Sequence, residues 1–191
     1  MNRKTKRILV KILILLGIVI TVLGLVQCTV GRIQYIRSGL WQYEIDGFKK
    51  NYKKSFEIVS EKFYEIYCEE REKNNIEELR VLDLSLDEWR MECVVGEKES
   101  YPIVIELSEE LNQATKKVLE AFSQVYPGAY GEGQQLRARE NRVAFYAGNV
   151  SYVVIHTMDS SRPKYLDSPD EEGKVYIKRI TRGWYHGTKT E

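Results

Sequence analysis

Residues Ile8 to Val30 form a 23-residue apolar run, interrupted by Lys11, Thr21 and Gln27, with glycines at 17 and 24. As a helix rising about 1.5 Å per residue it would be roughly 34 Å long, enough for a hydrocarbon core of about 30 Å. The run therefore reads as a transmembrane helix. Arg3, Lys4, Lys6, Arg7 and Lys11 crowd its N-terminal side, where no acidic residue occurs. The outer flank carries Arg32 and Arg37, soon followed by Glu44 and Asp46. Positive charge near a span favours the cytoplasmic side, so the N-terminus is expected inside and the remaining chain outside the plasma membrane.

Two processed forms compete with an uncleaved anchor. A secretion signal has the same basic start but a shorter apolar centre of about 7–15 residues and an A-x-A-like cleavage site. Ile12 to Val26 already gives fifteen positions, and Thr29-Val30-Gly31 is a poor cleavage site. Leu25-Val26-Gln27-Cys28 resembles a bacterial lipobox, which makes Cys28 a candidate for lipidation. Gln27 departs from that pattern, because a small residue normally precedes the cysteine. All three forms place the following domain outside the cytoplasm.

The expected organisation is a basic cytoplasmic tip (1–7), a signal-anchor helix (8–30), a juxtamembrane connector (31–45) and an extracytoplasmic domain (46–191). Beyond the first eleven residues, 24 basic residues face 28 acidic ones, a net of −4. That balance argues against nucleic acid as a partner. Cys68 and Cys93 belong to a compartment that permits a disulfide. Bridging them would close a loop of about 25 residues, contributing roughly 3 kcal/mol in the chain-entropy model. Two unpaired, partly buried thiols are the other reading. No C-x-x-C occurs, so no zinc ribbon or thioredoxin-like motif is supported.

The expected fold class is α+β, two helices with an antiparallel meander. Phe48, Tyr52, Phe56, Val59, Phe63 and Ile66 recur at spacings of three and four, which predicts an amphipathic helix over 46–73. Asp46 is its expected N-cap and Asn74-Asn75 its end. Strands are expected over 79–84, 88–95 and 101–106. Ser108 then caps a second helix with Leu111, Val118, Phe122 and Val125 on one stripe, closed by Pro127 and Gly128. Further strands read over 134–139, 142–147, 150–157, 174–181 and 184–186. A two-residue Gly148-Asn149 turn would set Phe145 opposite Tyr152 and Val143 opposite Val154. Both faces of that hairpin are apolar, so it is expected to be covered on both sides.

Little of the sequence points to chemistry. His156 could act as a base for Cys68 or Cys93, but a satisfied structural histidine is the simpler reading. His186 is expected at the surface or on an edge strand. No H-E-x-x-H occurs, and two histidines make a poor metal set, so no catalytic residue, metal or cofactor is assigned. The glycine-rich Pro127–Gly133 stretch lacks the Gly-Lys-Ser/Thr ending of a phosphate-binding loop and reads as a connector. The acidic Asp167, Asp170, Glu171 and Glu172 do not match a calcium-loop spacing. Asn149-Val150-Ser151 is a weak glycosylation sequon. Tyr35, Trp41 and Tyr43 could anchor at the membrane interface. Tyr176, Trp184 and Tyr185 could form an aromatic platform for a glycan or peptide, or complete a core.

The expected function is accordingly that of a single-pass membrane protein with a binding or interaction domain. Its partner would be an envelope protein or a glycan. A surface enzyme using Cys or His with carboxylates is the alternative, and no motif identifies a family.

Overall fold

The computed structural model describes residues 15–23, 26, 45–96, 99–125, 135–147, 152–164 and 174–190. The chain divides into two compact units, Met1–Gly39 and Leu40–Glu191. In the first, residues 15–23 are helical (α1), and their apolar side chains face outward. Thr21 Oγ1 donates to Gly17 O at 2.8 Å, so its hydroxyl is satisfied within the helix. Among the described residues no helix is long and apolar enough to cross a membrane. Much of Ile8–Val30, Cys28 included, lies outside them.

The second unit is α+β. Phe48–Tyr52 form a π-helical turn that leads into α2 (Lys53–Asn74). Strands β1 (Glu78–Leu84), β2 (Glu88–Val94) and β3 (Ser100–Glu106) follow. After α3 (Glu109–Val125) come β4 (Gln135–Arg139), β5 (Arg142–Tyr146), β6 (Tyr152–Thr157), β7 (Lys174–Thr181) and β8 (Trp184–Thr190). All eight strands pair antiparallel in one sheet, in the order β3-β2-β1-β4-β5-β6-β8-β7.

Phe56, Val59, Phe63 and Ile66 of the predicted stripe are buried, Tyr52 ahead of them is half-buried, and Tyr67, outside the stripe, is buried too. The expected Asp46 cap is not formed. The chain enters the helix through Gly47, at φ 66°, while Asp46 N–H donates to Gln124 Oε1 at 3.2 Å. Gly47 suits that left-handed position, and a Cβ there would meet Asn51 Nδ2 at 2.6 Å. At the far end Asn75 takes φ 55° and donates its N–H to Arg71 O, a left-handed C-cap. Ser108 caps α3 as expected, its Oγ accepting from Leu111 N–H at 3.3 Å, with Glu109 and Glu110 in the first turn.

Both long helices pack on one face of the sheet, and aromatic rings join the layers. Phe56 of α2 lies within 6.0 Å, centroid to centroid, of Phe48, Phe122, Phe145 and Trp184. Phe63 meets Trp89 edge-on at 6.1 Å. On the opposite face, Ala144, Val153, Ile155, Ile177 and Tyr185 form a second buried cluster, so the β5–β6 hairpin is buried on both sides as expected. Farther along that face, buried Glu78 meets Arg80 at 2.9 Å, Arg139 at 3.1 Å and Arg137 at 3.8 Å.

The β5–β6 register differs from expectation. Phe145 pairs with Val154 and Val143 with His156, two residues farther along than a Gly148-Asn149 turn would give. Ala147 N–H donates to Tyr152 O, so the connection is 148–151. A shift of two preserves side-chain parity, and every residue keeps its expected face. At one edge of the sheet, Val95 N–H donates to Glu99 O and Leu107 N–H to Asp87 O. Those bonds bracket β3 and fix which of its backbone groups turn inward. Residues 101, 103 and 105 bond to β2, while Ser100, Pro102, Val104 and Glu106 aim their backbone groups away from the sheet. Pro102 therefore removes a donor from the exposed edge.

Candidate functional site

Strand alternation decides where the candidate residues go. Trp184, His186 and Thr188 face the helices; Tyr185 faces the other way. The aromatic platform of Tyr176, Trp184 and Tyr185 is therefore not formed. Trp184 is 1% exposed beneath Phe48 and Phe56, and Tyr185 is 4% exposed with its hydroxyl donating to Ser160 O. Tyr176 is half-buried on β7. His186 is buried rather than superficial, because β7 and not β8 forms the sheet edge.

The cysteines are both free thiols, so the Cys68–Cys93 bridge is not formed. Cys93 is buried on β2 and Cys68 exposed on α2. Burial pushes the Cys93 thiol up, with the Tyr101 hydroxyl opposing. Cys68 lies beside Tyr64, whose phenol is pushed up to about 12 by burial first and by Cys68 second. Neither cysteine is the hydrogen-bond partner of a histidine among the described residues. No group of three His, Cys, Asp or Glu suited to a metal occurs among them either. Tyr35, Trp41, Tyr43, the Pro127–Gly133 connector, the Asn149-Val150-Ser151 sequon and the acidic 167–172 stretch lie outside the described residues.

His156 is paired with a residue the sequence did not single out. Its Nδ1 lies 2.7 Å from Ser60 Oγ, across a separation of 96 residues. The imidazole stacks on Trp184 at 4.1 Å and 6°. Burial pushes it down to about 4, with Glu57 opposing and Lys53 reinforcing; those two side chains form an ion pair on α2. Ser60 Oγ also lies 3.0 Å from Glu57 O. A hydroxyl has one proton, so when it goes to Glu57 O the imidazole must donate through Nδ1. A serine beside a neutral histidine has the ingredients of a nucleophile and base. Here Ser60 has no exposed surface, so a substrate carbon cannot approach Oγ without displacing α2. The pair satisfies the buried Ser60 hydroxyl and the partly buried His156 imidazole.

A second histidine lines an open concavity. A pocket of about 370 Å³ lies between the π-helical turn and strands β6–β8. Ile45 and Phe48 form its apolar wall, while Tyr152 and His186 contribute buried polar groups. Tyr152 Oη is 3.4 Å from His186 Nδ1, and the rings meet at 90°. Lys49, Lys50, Lys178 and Arg179 also line it, and among the described residues no carboxylate does. The sequence signal for this site is weak: Lys49-Lys50 lies off the apolar stripe of the expected 46–73 helix, and Lys178 is brought to the site only through the β7–β8 pairing.

No family model, curated protein or solved structure matches the chain.

Proposed function

We propose that this chain is a single-pass membrane-anchored protein whose extracytoplasmic α+β domain works by binding. The observation that carries the reading is the Ile8–Val30 run with its one-sided basic flank. The described turns of α1 support it. Leu15, Leu16, Ile18, Val19, Ile20, Val22 and Leu23 are apolar all round and outward-facing, a pattern suited to a lipid environment. Binding is favoured over catalysis because the hydroxyl of Ser60, in the described serine–histidine pair, is sealed, whereas the Tyr152–His186 pocket is open to a ligand.

Expression of the full chain in a bacterial host, followed by alkaline extraction, external protease treatment and intact mass, tests the reading. Retention in the membrane, a full-length mass and digestion only from the outer side are expected. Extraction into the aqueous phase would refute the anchor. A mass showing cleavage before Cys28 plus added lipid would replace the helix with a lipoprotein anchor.

A further inference from the structure

We propose that the β3 edge, with the groove between β3 and α2, takes up an extended polypeptide segment of alternating apolar residues flanked by lysine or arginine. This deepens the binding reading by naming the kind of partner, and the partner's extracytoplasmic location rests on that reading.

Three features meet at this edge. The first is backbone. Val104 and Glu106 turn both N–H and C=O away from β2, and Pro102 turns its C=O. Among the described residues no backbone group takes these up. Pro102 interrupts the row of donors, so its unbroken part is Val104–Glu106. Val104 is 56% exposed, so the edge is open there. Alternating donors and acceptors on a bare edge are what strand addition uses.

The second is an apolar groove beside that unbroken part. Ile103 and Ile105 pair with Met91 and Trp89, so they share the helix-covered face, yet they stay half-buried. With Ile58 and Ile66 of α2 and Leu111 of α3 they line a groove of about 560 Å³ that reaches Val104 and Glu106. A strand added to β3 would project every second side chain over this groove.

The third is charge. Glu70, Glu106 and Glu110 also line the groove. Glu70 accepts from two neutral groups, the Tyr101 hydroxyl at 2.8 Å and the Asn74 amide at 2.9 Å. Glu106 and Glu110 form no ion pair with another described residue. The remaining charges of the lining are balanced, for Glu69 meets Lys73 at 3.7 Å and Lys62 meets Glu65 at 2.8 Å. The three uncompensated carboxylates lie at opposite ends of β3. Glu70 is beside Tyr101, and Glu106 and Glu110 are where β3 gives way to α3. At about 3.4 Å per residue, Tyr101 and Glu106 are roughly 17 Å apart. Cationic side chains at both ends of a short strand complement that arrangement. A second copy of this chain does not, since two-fold pairing along β3 would set the same acidic rim on each side of the seam.

The probe is a fluorescein-labelled peptide of two lysines, then valine-threonine-valine-threonine-valine, then two lysines. Fluorescence anisotropy follows its titration with the full chain in non-ionic detergent. Antiparallel addition sets the valines opposite Tyr101, Ile103 and Ile105, over the groove, and turns the threonine amides toward the β3 backbone. Saturable binding is expected. N-methylation of both threonines should weaken it at least tenfold, whereas N-methylation of the two outer valines should leave it within twofold. Val104→Pro, at an edge that already accepts Pro102, should also weaken it at least tenfold. Glu106→Gln with Glu110→Gln should weaken it at least threefold at low salt. Circular dichroism verifies the fold of both variants. No saturable binding, equal binding by either folded variant, or binding indifferent to threonine methylation overturns the proposal. Should Val104→Pro misfold, the two methylated peptides decide, because they leave the protein untouched. A dimer in sedimentation velocity that excludes the peptide would assign the edge to a second copy and overturn the proposal. None of these outcomes bears on membrane extraction, so the edge and the anchor stand or fall separately.

Discussion

Acidification should weaken the domain through His156. The imidazole is neutral in the folded protein, pushed down to about 4 by burial, while an unfolded chain restores it to 6.5. Between those values the unfolded state binds the extra proton. Stability contributed by this group is therefore intact above pH 6.5, declines as the pH falls, and levels off below about 4. At about 1.36 kcal/mol per pH unit the full span would be roughly 3 kcal/mol. Solvent reaches part of the ring, and screening reduces the effect to about 1–2 kcal/mol. His156→Phe is the reference, because a flat ring preserves the stack on Trp184 and cannot titrate there. Urea unfolding of the full chain in non-ionic detergent, followed by tryptophan fluorescence from pH 7.5 to 4.5, gives both curves. With a slope of about 2 kcal/mol per molar, the wild-type midpoint should fall by about 0.5–1 M more than that of the variant. Every other group is present in both proteins and cancels. Parallel pH curves would refute the reasoning, since they would mean that the imidazole gains a proton as easily in the fold as in the unfolded chain.

Glu78 is the shared counter-charge of Arg80, Arg137 and Arg139 and is almost fully buried. Glu78→Gln should cost about 2–3 kcal/mol, lowering the Tm by roughly 6–9 °C in a thermal scan; a change below 1 °C would show the arginines need no such partner. In a Cys28→Ser background, Cys68 should react with a maleimide in the native state and Cys93 only on unfolding, as its burial and raised thiol require. Mass spectrometry of tryptic peptides reads this directly, and rapid native labelling of Cys93 would contradict its placement. Pro102→Val restores a backbone donor to the exposed β3 edge, so concentration-dependent association should rise in sedimentation velocity. An unchanged distribution would mean the edge is protected by other means.

What could be read from the sequence was whatever depends on local period. The Phe56–Ile66 stripe, the Ser108 cap and the Asn75 end follow from spacing and backbone preference, and each is found where expected. The β5–β6 hairpin shows the limit of such reasoning. Gly148-Asn149 suggested a two-residue turn, the actual connection is twice that length, and the faces survived only because the error was even. Exposure was less legible than parity. Placing Trp184 and His186 on one face was within reach, but knowing that α2 covers that face requires contacts across more than a hundred residues. Ser60 could have been suspected, for it sits four residues after Phe56 on the buried stripe and needs a polar partner there. Which partner it finds, 96 residues away, has no local signature. The Tyr152–His186 pocket is the extreme case: two adjacent lysines look solvated until the closing β7–β8 hairpin brings Lys178 beside a buried imidazole and turns an ordinary charged face into one wall of a cavity.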